Sequence, residues 1–380
     1  MSLVVRTLAD RFAEVGDVLA GHLADDPGWG FQLVVRTDEG VVVDLAAGSG
    51  AADPLHVLAS ATKGVAGVTV ALALQACGVD PGQQVAALWP EFAAEGKSAV
   101  TIAQLLSHQA GLLATTRDFT VQQWGEDRAV AADLAAQRPL WAPGRAHGYH
   151  ALTIGPLADE LVHRLTGQPL WRFYEEQVRR PLGADFWIRL PAEQAGRLRD
   201  VVVPPPAGPA AAPDGGLAER GTGQLDAMGP GNTWINAPGL AAAGIPSVSG
   251  AGTAAGLAAV YAGALGLEGR APLLTTATTA AVTQLQVAGP DLVLGGETRF
   301  GVLFQEPDPR RDFGTAAAFG HDGAGGALGF ADPVTRTAFG FTTSTVPVPG
   351  GADRRALEVA RVVRRLRLAG PRPGGRDPAS

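Results

Sequence analysis

The pattern of apolar and polar residues predicts strands near both ends of the chain and helices between them. Phe31–Arg36 and Val41–Leu45 are β-rich runs joined by the turn Thr37-Asp38-Glu39-Gly40, which is a hairpin pattern. Strand-like runs return late in the chain, at Phe300–Gln305, Gly326–Ala331 and Thr337–Thr343. We therefore expect one sheet built from both ends of the chain, with a largely helical insertion.

Helical periodicity accounts for most of the remaining apolar positions. It predicts four helices, at Val5–Leu23, Ser60–Cys77, Thr253–Leu265 (with Thr253 as N-cap) and Arg354–Leu368. The stretch 203–216 is rich in Pro, Ala and Gly, and its low complexity predicts a loop. The Pro- and Gly-rich residues after Gly370 predict a disordered tail.

Composition limits the classes of function. Of the 380 residues, 46% are hydrophobic and 18% are charged, which is ample for a packed core. A net charge of −7 argues against nucleic-acid binding. The only cysteine, Cys77, lies in an apolar helix and is predicted to be a small buried hydrophobe. Acidic residues interrupt the first helix, and no uncharged apolar run reaches about 18 residues, so we expect neither a signal peptide nor a membrane span. The predicted location is the cytoplasm.

The segment Ser60-Ala61-Thr62-Lys63 opens the long apolar helix. Residues at i and i+3 share one helix face, so the lysine can act as the base that a serine nucleophile needs. The positive end of the helix dipole and burial would both lower the lysine's pKa. Only two of the 30 basic residues are lysines, Lys63 and Lys97, and arginine cannot serve as a base. The same pattern also fits a lysine that extends to solvent from a helix start.

Two later segments carry further candidate chemistry. Tyr149 lies in a Gly- and Pro-rich loop, where a phenol can take part in general acid–base transfer or simply pack as a loop aromatic. Phe319–Gly326 contains closely spaced glycines beside a predicted strand. Such glycines let backbone N–H groups approach a ligand, as an oxyanion hole requires, although glycine-rich turns are common.

These three segments, in this order, resemble the signature of the serine β-lactamase-like superfamily, and specifically the class C β-lactamase-related esterases and acyltransferases, which include the family VIII carboxylesterases. The signature is Ser-x-x-Lys, then Tyr-x-Asn or a variant, then Lys/His-Thr/Ser-Gly or a variant. Four further segments support the resemblance: Trp89–Phe92, Leu105–Leu112, His147–Thr153 and Gly329–Pro333.

The resemblance implies an α/β fold of the α+β type, with an antiparallel sheet flanked by helices and an all-helical domain beside it. On this basis we expect residues 1–76 and 246–369 to form a discontinuous sheet domain. Residues 77–245 are expected to form the inserted helical domain, and residues 370–380 a flexible tail. The site would lie between the two domains.

The resemblance also implies the roles of individual residues. Ser60 would attack a carbonyl carbon, Lys63 and Tyr149 would share its proton, and the backbone N–H groups of Ser60 and Ala324 would hold the oxyanion. The residues expected to contact substrate are His321, Asp322, Gly323, His150 and Ala151. The histidines show no metal-binding spacing, and neither a metal nor any other cofactor is expected.

Two departures from the family pattern bear on the substrate. Ala151 stands where β-lactamases carry an amide side chain, and His321-Asp322-Gly323 replaces Lys-Thr-Gly, which removes a permanent positive charge. Both changes favour an uncharged small-molecule ester or thioester, so the leading hypothesis is a carboxylesterase. The alternatives are an acyltransferase that uses an alcohol or amine acceptor, a β-lactamase of altered specificity and a non-catalytic ligand-binding homologue.

Overall fold

The structure, a computed structural model, describes residues 2–126, 128–205 and 215–370. The centre of the loop predicted at 203–216 and the tail predicted after Gly370 lie outside the described residues.

Most of the described strands belong to one sheet. In chain order the strands are β1 Val4–Leu8, β2 Phe31–Thr37, β3 Gly40–Ala47, β4 His56–Val57, β5 Phe186–Trp187, β6 Ala251–Gly252, β7 Val287–Pro290, β8 Glu297–Phe300, β9 Phe319–Asp322, β10 Leu328–Asp332 and β11 Thr337–Thr343. The six-stranded sheet has the order β1-β3-β2-β11-β10-β9, and all its neighbouring strands are antiparallel. At its centre β2 pairs with β11, so that Phe31 faces Thr343 and Arg36 faces Ala338. The prediction of one sheet built from both ends of the chain is confirmed.

The described helices fall mainly between the two sets of strands. They are α1 Ala13–Asp25, α2 Ala61–Cys77, α3 Val85–Leu88, α4 Ile102–Leu106, α5 Val121–Glu126, α6 Arg128–Ala136, α7 Ile154–Thr166, α8 Leu170–Tyr174, α9 Arg180–Leu182, α10 Leu217–Asp226, α11 Leu240–Ala243, α12 Ala254–Leu265, α13 Thr276–Thr283 and α14 Arg354–Leu368. Between residues 77 and 245 the only described strand is the two-residue β5. The division into two domains at these boundaries stays a prediction. No described helix is long and apolar enough to cross a membrane.

Helices cover both faces of the sheet. On one face α1 and α14 pack against the sheet in a core that contains Phe12, Leu19, Phe339 and Val363. On the other face α12 lies directly on β11, because Gly340 has no side chain: a Cβ there would lie 2.1 Å from the Ala254 carbonyl oxygen. The long helix α2 packs beside α12, α7 and β9, and it therefore connects the sheet with the helical part.

Two predicted elements have different bounds in the structure, and the prediction that Cys77 is buried was wrong. The helix predicted from Val5 begins only at Ala13, because Val4–Leu8 pairs with β3 as an edge strand. The strand predicted at Phe300–Gln305 ends at Phe300, since the chain turns through Leu303 with a φ of 62°. Cys77 is exposed at the last position of α2.

Candidate active site

Ser60 stands at a sharp bend between a short strand and a long helix. Strand β4 ends at Val57, and Ala59 then adopts a left-handed conformation with a φ of 48°. The Thr62 hydroxyl fixes this bend, because it donates to the Ala59 carbonyl oxygen (2.5 Å) and accepts from the Gly250 N–H (2.9 Å). As a result Ser60 is the N-cap residue of α2, with its side chain at the wall of a cavity.

Lys63 lies one turn further along α2 and is completely buried. Its Nζ is 3.1 Å from Ser60 Oγ, 2.7 Å from the Ala151 carbonyl oxygen and 3.0 Å from the Ser247 carbonyl oxygen. Burial holds the pKa of Lys63 well below its usual value. A neutral amine has two hydrogens and one lone pair. In the neutral form of Lys63 the two carbonyls can accept these hydrogens, and the lone pair is then available to Ser60 Oγ.

Tyr149 contacts the same serine from the side of the helical region. Its phenol lies close enough to the Ser60 side chain to affect its own pKa, and its ring centroid is 4.9 Å from Lys63 Nζ. The backbone N–H of Tyr149 donates to Asp291 Oδ1 (3.1 Å), which fixes the loop. Burial raises the pKa of Tyr149 above its usual value, so the phenol keeps its proton at neutral pH. The Tyr149 phenol is therefore neutral and has a proton that it can donate.

Ser60 and Ala324 line the same cavity, which has a volume of about 1100 Å³. Within the described residues, neither backbone N–H donates a hydrogen bond to another group. The turn that carries Ala324 packs directly on the bend before Ser60, since a Cβ on Gly323 would lie 2.2 Å from the Leu58 carbonyl oxygen. Two free N–H groups beside a serine hydroxyl can stabilise an oxyanion.

His321 and Asp322 follow on strand β9. The His321 ring is fully buried, and its Nδ1 donates to the Asp322 carbonyl oxygen (2.7 Å), while Nε2 has no partner among the described residues. Burial lowers the pKa of His321 to about 3, so the ring is neutral. The neighbouring Arg311 holds the pKa of the Asp322 carboxyl below its usual value despite burial, and this carboxylate accepts from the Ala352 N–H (3.0 Å). Asp322 lines the cavity, whereas His321 lies behind it.

His150 and Ala151, which we predicted to contact substrate, are not placed at the cavity. His150 is fully buried; its Nδ1 donates to the Gly148 carbonyl oxygen (2.7 Å) and its Nε2 accepts from the Leu112 N–H (2.9 Å). Burial lowers the pKa of His150 to about 4, which keeps the ring neutral. Ala151 is also buried, and its carbonyl oxygen accepts from Lys63. Both residues therefore belong to the buried hydrogen-bond network next to Lys63 and Tyr149, and neither lines the cavity.

The structure adds cavity residues that the sequence pattern did not single out. Gln305 lines the cavity, and its Oε1 accepts from the Asp322 N–H (2.9 Å). Four arginines also line it: Arg310, Arg311, Arg354 and Arg355. The adjacent pair at 310 and 311 is visible as a charge-rich segment, but local sequence does not reveal which surface it faces. Among the described residues no group of His, Cys, Asp or Glu is arranged to hold a metal ion.

Comparisons with known proteins agree with this fold. Together the fold and site define a serine hydrolase of the esterase/β-lactamase type. The chain belongs to the Beta-lactamase family, which it matches over residues 19–364.

Three relatives show how far the similarity extends. EstA from Arthrobacter nitroguajacolicus Rue61a is 37% identical with a TM-score of 0.91, and the match covers 96% of this chain and 99% of that one. A family VIII carboxylesterase is 30% identical with a TM-score of 0.85, covering 96% of this chain and 100% of the other. The esterase/beta-lactamase LipL of Mycobacterium tuberculosis is 30% identical over 315 residues, which are 78% of this chain and 71% of that protein.

Proposed function

We propose that the protein is a carboxylesterase that cleaves small-molecule esters through an acyl-enzyme on Ser60. The observation that carries this proposal is the contact between Lys63 Nζ and Ser60 Oγ, at 3.1 Å, made by an amine whose burial disfavours the charged form. The names of two relatives at least 30% identical, a family VIII carboxylesterase and an esterase/beta-lactamase, support the same activity.

Acylation begins when Ser60 Oγ attacks the ester carbonyl carbon and its proton moves to Lys63 Nζ. The carbonyl oxygen becomes an oxyanion that accepts from the N–H groups of Ser60 and Ala324. Tyr149 donates its phenol proton to the departing alkoxide, so the alcohol leaves neutral. The Lys63 ammonium returns its proton to the Tyr149 oxygen, which restores both groups.

Deacylation repeats the sequence with water in place of Ser60 Oγ. Water attacks the acyl carbon while a base of the site accepts its proton. The bond between the acyl carbon and Ser60 Oγ then breaks, and Ser60 Oγ takes up a proton, which restores the hydroxyl group. An alcohol or amine that takes the place of water would turn the same chemistry into acyl transfer. The residues at the reacting centre are the same for hydrolysis and for acyl transfer. We propose hydrolysis because it needs no acceptor other than water.

The test is hydrolysis of p-nitrophenyl acetate and butyrate by wild type, Ser60→Ala and Ser98→Ala. Ser98 is an exposed serine away from the cavity and serves as the matched control. We expect turnover, and an acyl adduct detected by intact mass, in wild type and Ser98→Ala but not in Ser60→Ala. Equal rates in all three proteins would refute the proposed role of Ser60. Added alcohols, amines and nitrocefin then distinguish a transferase and a β-lactamase from an esterase by their products.

A further inference from the structure

Among the described residues a second cavity, with a volume of about 760 Å³, shares no lining residue with the catalytic cavity. The two cavities are nevertheless close along the chain. Gln305 lines the catalytic cavity, whereas the next residue, Glu306, lines the second one. Residues 316–318 also line the second cavity and lead directly into β9, whose last residue, Asp322, lines the first. A ligand in the second cavity would therefore be distinct from the ester substrate.

One wall of this second cavity is a helix face that carries small side chains. Thr276, Thr279, Ala280 and Thr283 line the cavity and follow one side of α13, because they lie three or four positions apart. The side chains of Leu265, Leu274 and Pro333 extend this uncharged wall. Such a surface suits the hydrocarbon part of a small ligand.

Two charged side chains line the second cavity, and the protein itself neutralises one of them, Arg336. This guanidinium donates to both carboxylate oxygens of Asp38, at 2.6 and 3.0 Å. It also donates to the carbonyl oxygens of Leu265 (3.0 Å) and Gly266 (3.2 Å). Arg336 is therefore satisfied without a ligand.

Glu306 is the other charged group, and only 5% of it is exposed. Its carboxyl forms no ion pair with a basic side chain of the described residues, and Oε1 is buried without a hydrogen-bond partner among them. Burial raises the pKa of Glu306 to about 7, although the positive charge of Arg299 acts in the opposite direction. Because a buried acceptor without a donor destabilises the fold, a ligand that brings a donor to Glu306 would bind favourably there.

We propose that the second cavity is a binding site for small primary amines, with the ammonium group on Glu306 and the hydrocarbon part against α13. An ammonium group has three N–H donors and no acceptor, so it supplies both the charge and the hydrogen bond that this carboxyl lacks. The uncharged wall then covers a small aliphatic or aromatic body. The inference does not depend on the proposed ester hydrolysis, because no residue that lines the catalytic cavity takes part in it.

Two ligands that differ in the charged group, cyclohexylamine and cyclohexanol, test the site. Saturation-transfer NMR titrations of the whole protein at neutral pH give a Kd for each ligand. We expect wild type to bind the amine about tenfold more tightly than the alcohol, since hydrogen bonds to charged groups are the stronger ones. Glu306→Gln keeps the size of the side chain and should raise the Kd of the amine to about that of the alcohol. The control Glu193→Gln removes an exposed carboxylate outside both cavities and should leave it unchanged.

A second pair of variants tests the position of the ligand without changing Glu306. Ala280→Trp fills the cavity from its helical wall, whereas Ala277→Trp places the same ring at an exposed position of α13 outside the cavity. Amine binding that weakens in Ala280→Trp but not in Ala277→Trp supports the site. Equal Kd values for the amine and the alcohol in wild type would overturn it. Amine binding that survives unchanged in both Glu306→Gln and Ala280→Trp would also overturn it, whether or not Ser60 proves to be a nucleophile.

Discussion

Replacing Lys63 by Met tests the proton transfer on which the proposed mechanism depends. Methionine is similar in length and suits a buried site, but it offers neither a base nor a hydrogen-bond donor. The substitution removes the group 3.1 Å from Ser60 Oγ, which is the side-chain hydrogen-bond partner of this serine among the described residues.

The size of the effect follows from what the amine contacts. A positioned general base contributes about 10²–10⁴-fold in rate, or about 2.7–5.4 kcal/mol of barrier, so kcat/KM should fall by that factor.

The substitution also changes the stability of the fold. The carbonyls of Ala151 and Ser247 each lose a buried donor, which lowers the free energy of unfolding by about 1–3 kcal/mol apiece. Part of this loss is offset. Because burial lowers the pKa of Lys63, unfolding takes up a proton there at any pH between the lowered pKa and the unfolded one. The amine's destabilisation of the folded wild type grows as the pH falls through this window and stays at its full value below it.

The assay is kcat/KM for p-nitrophenyl butyrate from pH 5 to pH 10, together with urea unfolding. Wild-type activity should fall as the pH drops through the lowered pKa of Lys63, since the protonated amine cannot accept from Ser60. In Lys63→Met the remaining activity should lack this limb. A folded Lys63→Met that keeps more than about a tenth of wild-type kcat/KM would refute the assignment of Lys63 as the base.

Three further changes probe the surroundings of the site. Tyr149→Phe should lower kcat about 10²-fold or more, because it removes the proton donor to the leaving alcohol while keeping the ring; a smaller loss in steady-state assays would contradict that role. His150→Phe should lower the free energy of unfolding by about 2–5 kcal/mol in urea titrations, since the Gly148 carbonyl and the Leu112 N–H lose their partners. Unchanged stability would mean that the ring does not brace the loop. Gly323→Ala should reduce kcat about 10²-fold, because the added Cβ would push the turn that carries Ala324 away from Leu58. Single-turnover rates equal to those of wild type would exclude this effect.

Local signals in the sequence were sufficient for several elements. The hairpin of β2 and β3, the helix after Ser60 and the last helix all follow from periodicity, turn residues and caps that lie within the segment itself. The pairing of Ser60 with Lys63 was predictable for the same reason, because a spacing of three residues on a helix fixes their distance. The strand at Val4–Leu8 was missed, since its partner lies in β3, far along the chain.

The rest of the site depends on backbone atoms and on distant segments. The Lys63 amine donates to the carbonyl oxygens of Ala151 and Ser247, which lie 88 and 184 positions further along the chain. Because every residue has a backbone carbonyl, the sequence does not show which ones will act as acceptors. His150 is adjacent to Tyr149 in sequence, yet its ring points into the packing behind the site, which sequence proximity could not reveal. The arginines near 310 and 354 became part of one cavity only through the fold.

The pairing of β2 with β11 has a consequence for how the protein folds during synthesis. Trp29 lies just before β2, and its indole N–H donates a hydrogen bond to the Thr343 hydroxyl, 314 positions later in the sequence. The central strand pair of the sheet therefore joins two segments that are synthesised at very different times. Until β11 emerges, the β2 edge of the early hairpin has no partner and its apolar face has no cover from α14. Such an edge invites wrong pairing, and distant pairing slows folding. Slow, temperature-sensitive maturation and a need for chaperones during production are therefore expected of this chain.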